Sequence, residues 1–256
     1  MRTASYSIAL SLGLALTLSP GPALAQTTNC TPITVVPTTI TVEGNYCFTQ
    51  HLSTDITSGD AITIETNNVV LDLDGWTLSG LAAGRGTAAH GIRAENRQNI
   101  TIKNGTVRGF LRGIRLFDTG GASKGHVVED IRADQNTAIG IQVYGRGNLI
   151  RNNQVVATGG STVFGPNTSP FGIIVSGAGP RVLNNDVIDT FAQGTGIAVG
   201  IGFLGSGGLA VNNRITNAHV GIEFHSGSTG KYRDNLTTGV PTISRFLGGT
   251  SVGNNN

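Results

Sequence analysis

The sequence predicts an all-β protein built as a solenoid, and three observations carry this prediction. A Gly-Ile pair followed by alternating apolar and polar residues recurs every 22–32 residues, beginning at Gly91, Gly113, Gly140, Gly172, Gly196 and Gly221. Two further short strand patterns follow most of these pairs, as in LIRNN and QVV after Gly147. No segment after residue 25 shows the period of an amphipathic helix. A repeat of this length made of short strands is typical of a β-solenoid, whose stacked coils bury one continuous core.

The first 25 residues have the pattern of a secretory signal peptide. Arg2 precedes an apolar run from Ile8 to Leu18, and Ala23-Leu24-Ala25 stands before Gln26. The run is too short to cross a bilayer, and no later stretch is long enough to do so. We therefore predict a secreted, periplasmic or cell-surface protein whose mature chain starts near Gln26.

Residues 26–60 differ from the repeats and contain both cysteines of the chain, Cys30 and Cys47. In an exported protein a disulfide is the default interpretation of such a pair, whereas a metal or redox pair lacks the usual CxxC spacing. An uncovered solenoid end exposes apolar core and unpaired strand edges. We therefore predict that this segment is an N-terminal cap stapled by a Cys30–Cys47 disulfide.

About seven coils are predicted over residues 61–239, followed by a C-terminal tail, residues 240–256, that is apolar enough to cover the last coil. In the first coil Asp72 and Asp74 alternate with leucines and therefore face outward. Their DxDG spacing leaves calcium open, but a calcium loop needs more oxygen ligands. His219, Glu223 and His225 form a weak metal constellation near the last Gly-Ile pair. We predict no metal site and no cofactor.

Polar residues also recur beside the second strand of each coil. Stacked amides at the strand spacing of about 4.8 Å can bond to each other and to turn backbone. We predict a structural column at these positions: Asn104, Asp130, Asn153, Asn185, Asn213 and Asn235.

The Gly-Ile strands, the NN turns and the opening VVLDLDGWTL resemble the right-handed parallel β-helix proteins of the pectate-lyase-like superfamily. The resemblance covers nearly the whole mature chain and implies a single-stranded right-handed parallel β-helix. It implies no one activity, because that fold carries lyases, hydrolases, epimerases, phage tailspikes and passive surface proteins. The catalytic motifs of polygalacturonase-like hydrolases and of alginate-epimerase modules are absent from the sequence.

The outward positions of the Gly-Ile strands predict where function lies. Stacking places them in two columns. The first is Thr63, Arg93, Arg115, Gln142, Ile174, Ala198 and Glu223; the second is Glu65, Glu95, Phe117, Tyr144, Ser176, Gly200 and His225. Insertions at 81–90, 119–125 and 159–170 flank this face, with Arg85, His90 and Phe164 as candidate walls of a trough.

The trough suits a sugar polymer, since aromatic rings stack on sugar faces and arginine grips carboxylates bidentately. We predict substrate contacts from Phe117, Gln142, Asp118 and His90. Catalytic roles, if there is catalysis, fall to Arg93, Glu95, Arg115 and Tyr144.

Three functions follow from this face: binding of an extracellular or cell-wall polysaccharide, lyase or C5-epimerase activity on an acidic glycan, and a passive surface or adhesion role. In a lyase, an arginine would neutralise a uronate carboxylate while Tyr144, His90 or an arginine removes the neighbouring proton. Glu65 and Glu95 are the available carboxyl pair for glycoside hydrolysis. The formal charge of +2 is too small for generic binding to nucleic acid.

Overall fold

The computed structural model describes residues 29–165, 167–241 and 245–256. The predicted signal peptide, residues 1–25, lies outside these ranges. In the described residues every named strand pairing is parallel, and the single helical element is a 3₁₀ turn at Leu81–Ala83. No membrane-spanning helix occurs in this part of the chain.

The strands, numbered in chain order, form three faces of a solenoid. The first face, called the Gly-Ile sheet below, is β2 (Thr38–Ile40), β5 (Asp60–Ile64), β8 (His90–Glu95), β10 (Arg112–Phe117), β12 (Ile139–Tyr144), β15 (Phe171–Ala178), β18 (Val199–Ser206), β21 (Val220–Phe224) and β24 (Phe246–Leu247). Each strand pairs with its counterpart in the next coil, as predicted for a single-stranded parallel β-helix.

The second face is β1 (Thr31–Ile33), β3 (Gly44–Phe48), β6 (Val69–Asp72), β9 (Ile100–Arg108), β11 (Val127–Asp134), β13 (Leu149–Arg151), β16 (Arg181–Leu183), β19 (Gly208–Val211), β22 (Gly230–Arg233) and β25 (Thr250–Ser251). The third face is β4 (Leu52–Ser53), β7 (Thr77–Ser79), β14 (Gln154–Gly159), β17 (Asp186–Phe191), β20 (Arg214–Thr216) and β23 (Leu236–Thr238). The long strands β9 and β11 contribute to both faces, since they pair with β6 and β7 and with β13 and β14.

The core runs along the axis between the three faces. The isoleucine that opens each coil, such as Ile92, Ile114, Ile141 and Ile173, is fully buried. It packs against inward residues of the other two faces, among them Val128, Val155 and Val187. The alternation in the sequence places these side chains inward because successive strand residues point to opposite faces.

Both ends of the predicted repeat region continue the solenoid. Strands β2, β3 and β4 of the N-terminal segment pair in parallel with β5, β6 and β7, so this segment lies over the first of the seven coils as a coil of its own. The predicted disulfide is present, with the Cα atoms of Cys30 and Cys47 5.8 Å apart. In the tail, β24 and β25 pair in parallel with β21 and β22.

A ladder of buried asparagines joins the later coils. Each backbone N–H and each side-chain amide donates to the Oδ1 atom of the asparagine in the next coil, with N–O distances of 2.9–3.1 Å for the backbone donors. The ladder consists of Asn153, Asn185, Asn213, Asn235 and Asn255. The prediction of a structural column is therefore correct for four of its residues, and the tail adds a fifth.

Asn104 and Asp130 do not belong to this ladder, and here the predicted column was wrong by one residue. Ile131 occupies the ladder position, since its N–H donates to Asn153 Oδ1 at 3.0 Å. Asn104 and Asp130 have positive φ values of 55° and 54°, like Asn152 in a later coil. The left-handed conformation at this turn favours Asn and Asp, whose short polar side chains tolerate it.

Candidate functional site

The outer face of the Gly-Ile sheet brings most of the predicted site residues together. Strand pairing aligns Thr63 with Arg93, Arg93 with Arg115, and Arg115 with Gln142. The second column aligns Glu95 with Phe117. We call the outward residues of β5, β8, β10 and β12 the charged half of this face, and those of β15 and β18 the apolar half.

An aromatic stack lies in the charged half. The rings of Phe117 and Tyr144 have centroids 5.1 Å apart and are tilted by 35°. The guanidinium carbon of Arg115 lies 4.5 Å from the centre of the Phe117 ring. Burial lowers the pKa of Arg115, and the positive charge of Arg93 lowers it further. All three side chains of the stack are half-buried, so part of each remains open to solvent.

A third outward column, whose role was not predicted from the sequence, lies just before the glycine of the Gly-Ile pairs and before Ala61 in the first coil. It aligns Asp60, His90, Arg112, Ile139 and Phe171. His90 Nδ1 lies 2.9 Å from Asp60 Oδ1, and His90 Nε2 lies 3.0 Å from Arg112 Nη1. Because the guanidinium can only donate, Nε2 accepts its hydrogen and Nδ1 carries the proton that is donated to Asp60. The column could have been predicted from the sequence, because its residues occupy the same position in successive repeats.

The charges of this column are held close together. Asp60 also lies 3.4 Å from Arg93 Nη1. Burial by itself would raise the pKa of Asp60, but the hydrogen bond from His90 and the positive charge of Arg93 hold it below its usual value. Burial lowers the pKa of Arg112, and the nearby charge of Arg115 lowers it further. Three guanidinium groups therefore share this half of the face with two carboxylates, those of Asp60 and Glu95.

The remaining predicted residues have defined neighbours. Glu95 accepts hydrogen bonds from Arg93 and, at 3.1 Å, from Thr119 Oγ1. Asp118 accepts the N–H of Ala122 at 3.1 Å and so caps the loop after β10. Gln142 is only 5% exposed, and in the described part of the chain its Oε1 atom has no hydrogen-bond partner. A cavity of about 310 Å³ at the edge of the charged half is lined by Thr63, Glu65, Arg93, Glu95, Asn96 and Arg97, among others.

A second hydrophobic cluster lies outside the core, where the apolar half meets residues on or just before β10 and β12. It contains Leu111, Ala138, Ile139 and Ile174, with Phe171, Tyr144 and Leu204 packed against it. Phe164, from the loop between β14 and β15, stands 5.9 Å from the guanidinium carbon of Arg112. The predicted wall residue Phe164 thus reaches the charged half, whereas Arg85 lies elsewhere and is described below.

Two of the predicted outward positions were wrong. The sequence contains Gly196-Ile197 and Gly200-Ile201 in succession, and the first pair was predicted to begin this coil. Ile201 pairs with Ile173 and is fully buried, whereas Ile197 is 54% exposed in the loop before β18. The outward residues of this coil are therefore Gly202 and Leu204, aligned with Ile174 and Ser176, instead of Ala198 and Gly200.

Metal-binding groups are sparse in the described residues. No cluster of three or more His, Cys, Asp or Glu side chains there has the arrangement of a metal site. His219 Nδ1 accepts the N–H of Ala198 at 3.0 Å, while His225 Nε2 lies 3.2 Å from Glu223. Asp72 contacts Lys103 at 3.1 Å and accepts the Asp74 N–H at 2.9 Å. The carboxylate of the DxDG segment therefore already has protein partners.

Comparison with known proteins gives a likeness in fold. No family model matches the chain, and no curated protein matches it. The enzymatically active domain of tailspike protein 2 of bacteriophage CBA120 is 12% identical, with a TM-score of 0.41 over 82% of this chain and 38% of that chain. The Dettilon tailspike protein is 11% identical, with a TM-score of 0.35 over 87% of this chain and 60% of that chain. This chain thus spans less than two thirds of either tailspike structure, and its assignment as a parallel β-helix rests on its own strand pairing.

Proposed function

We propose that this protein binds an extracellular or cell-wall polysaccharide along the charged half of the Gly-Ile sheet. The observation that carries the proposal is the half-buried stack formed by Arg115 and Phe117 on one coil and Tyr144 on the next. Aromatic rings offer flat apolar surface to the faces of sugar rings, and guanidinium groups bind carboxylates or hydroxyls beside them.

Rigidity supports the same proposal. The stack stands on β10 and β12, which pair with strands on both sides. A ligand that binds such a surface orders few protein side chains on association, so little conformational entropy is lost. The Cys30–Cys47 disulfide supports a site of action outside the cytoplasm, where such bonds persist. Export from the cell therefore belongs to the proposal.

The test is binding to a panel of acidic and neutral polysaccharides, measured by affinity electrophoresis and calorimetry. We expect Phe117→Ala and Tyr144→Ala each to weaken binding of the preferred polymer by about tenfold, the effect of losing roughly 1.4 kcal/mol. Leu236→Ala is the matched control, because Leu236 is 48% exposed on the third face of the solenoid. Binding that survives both aromatic substitutions, or that falls equally in the control, would contradict the proposal.

A lyase or C5-epimerase acting on an acidic glycan is the second candidate, and the convergence of Arg93, Arg112 and Arg115 favours it. Elimination next to a uronate carboxylate needs that charge neutralised and a base for the adjacent proton. Arginine would supply the first function, and Tyr144 or His90 the second. His90 would first have to release Arg112, since both of its ring nitrogens are engaged.

Product analysis separates the candidates. The purified protein is incubated with each polymer, with and without calcium, and polymer size, unsaturated ends and sugar configuration are measured. Turnover that is lost in Arg115→Ala at an unchanged melting temperature would establish the enzyme. Binding without turnover would leave the binding function, and the absence of both would leave a passive surface or adhesion role.

A further inference from the structure

A second cleft opens on a different corner of the solenoid, away from the charged half. It has a volume of about 330 Å³, at the lower end of the range for small-ligand pockets. Its walls come from the 3₁₀ turn at Leu81–Ala83 with the residues after it, from the turns that follow β9 and β11, and from the ends of β14 and β17. Leu81, Arg85, Thr137, Gly159 and Phe191 line it, so we call it the Arg85 cleft.

Arg85 is an exposed residue in the wall of this cleft, and hydrogen bonds hold its side chain in position. Its Nε atom donates to the carbonyl of Gly160, 75 residues away in sequence, at 2.7 Å. A Cβ atom at Gly160 would displace the Arg85 guanidinium, and the φ of 82° at this position also favours glycine. The Thr162 N–H also donates to the Arg85 carbonyl at 3.2 Å. When the Gln193 amide is oriented to satisfy both of its neighbours, its oxygen accepts from Arg85 Nη2 at 3.3 Å.

This fixed guanidinium has neutral partners, because in the described residues no carboxylate lies within ion-pair distance of it. Its guanidinium carbon stands 6.0 Å from the centre of the Phe191 ring. A cation that the fold holds in position without a counter-ion favours an anionic ligand, since a carboxylate can pair with it bidentately. The positive charge on Arg85 therefore indicates that the ligand carries a negative charge.

The other residues that line the cleft indicate which further chemical groups the ligand carries. Phe191 is 41% exposed and Leu81 is 39% exposed, so both present apolar surface to solvent in the cleft. The Thr137 side chain lies beneath them, almost fully buried, and its Oγ1 atom has no hydrogen-bond partner among the described residues. This atom has almost no exposed surface, so it would contact a ligand only after rotation about the Cα–Cβ bond. A ligand with one flat apolar face, ring hydroxyls and a carboxylate matches these three features.

We propose that the Arg85 cleft binds a single acidic sugar unit, a uronate, with its carboxylate on Arg85 and its ring against Phe191. The inference rests on the cleft alone and does not require the charged half to bind a polymer. The site would hold a monosaccharide or the end or branch of a glycan, because its volume is too small for an extended chain.

The test uses the whole exported protein and four probes, namely galacturonate, glucuronate, galactose and glucose, with dissociation constants from ligand-observed NMR. We expect both uronates to bind in the millimolar range and the neutral sugars at least tenfold more weakly. Arg85→Gln should weaken uronate binding about tenfold, the usual consequence of losing a charge-assisted hydrogen bond. Arg85→Lys keeps the charge and should retain part of the affinity.

Substitutions at other residues of the cleft test the proposal even if the Arg85 variants disturb the neighbouring loops. Phe191→Ala should weaken uronate binding about tenfold at an unchanged melting temperature. Thr137→Val should weaken it several-fold, whereas Thr190→Val, which removes another unpaired buried hydroxyl outside the cleft, should have no effect. Tyr144→Ala should leave monosaccharide binding intact, which separates this site from the charged half. Equal binding of neutral and acidic sugars, no binding of either, or uronate affinity unchanged in Phe191→Ala would overturn the proposal.

Discussion

The asparagine ladder and the outer Gly-Ile face run along the same coils, yet they use their repeated positions in opposite ways. In the ladder, five coils place the same side chain at one position, and each amide bonds to the next. On the outer face, one column holds side chains of three different types at the same position, namely Arg93, Arg115, Gln142 and Ile174. Where neighbours in the stack must satisfy each other's hydrogen bonds, the residue repeats. Where the stack makes no such demand, the residues are free to serve a ligand.

The strongest test of this comparison is the substitution of one asparagine of the ladder. Asn213 accepts two hydrogen bonds from Asn185 and donates to Asn235 and to the Val182 carbonyl. Asn213→Leu would leave several buried polar groups unpaired, at about 1–3 kcal/mol each, so we expect a loss of about 4 kcal/mol in the free energy of unfolding. Chemical denaturation measures this loss.

Asn212→Gly is the control for the ladder variant. Asn212 is exposed and has a positive φ of 52°, a conformation that glycine adopts readily. We expect a change of less than about 1 kcal/mol. If both substitutions cost the same, the buried ladder is not the stabilising feature that its geometry indicates.

A second experiment compares the two sides of one strand. Ile141 is fully buried, whereas Tyr144 on the same strand is half-buried on the outer face. Ile141→Ala should cost about 3 kcal/mol of stability through lost burial and the cavity it leaves, with polysaccharide affinity unchanged. Tyr144→Ala should cost less than about 1 kcal/mol and weaken polysaccharide binding. Equal destabilisation by the two variants would show that the outer face is part of the structural core.

A third experiment measures stability as a function of pH. At one turn a buried histidine accepts the backbone hydrogen bond that an asparagine amide accepts at other turns. His126 Nδ1 accepts the Ile100 N–H at 3.3 Å, and its Nε2 lies 3.0 Å from Ser123 Oγ. Burial lowers the pKa of His126 to about 4, although the negative charge of Asp118 acts in the opposite direction. The native state therefore favours neutral histidine.

The sign of the pH effect follows from that lowered pKa. Above pH 6.5 the residue is neutral in both the folded and the unfolded chain, and stability is unaffected. As pH falls from 6.5 toward 4, the unfolded chain binds the proton first, so this group should remove about 2 kcal/mol by pH 5. His126→Asn, which keeps an acceptor but does not titrate, should flatten this part of the stability profile. An unchanged profile in the variant would place the acid sensitivity elsewhere.

The resemblance to a parallel β-helix and the local alternation of residues were sufficient for the fold. Each coil satisfies its own pattern, so the buried isoleucines, the three strands per coil and the disulfide could all be predicted from short stretches. The predictions that were wrong depended on stacking between coils. Gly196-Ile197 and Gly200-Ile201 have the same local pattern, and only pairing with β15 and β21 selects the second. Asn104 and Asn153 both look like turn asparagines, but only the register of β11 separates their positions.

The sequence by itself determined the repeat, the inward face of the Gly-Ile strands other than β18, and most of the residue types available on the outer face. The tertiary structure alone decided which of those residues meet. It joined Asp60, His90 and Arg112 across three coils, and it placed Arg85 on Gly160 rather than at the trough. The physical reason is that side-chain direction along a strand is a local property with a period of two residues. Contacts between coils depend on the lengths and paths of the insertions, which no local pattern encodes.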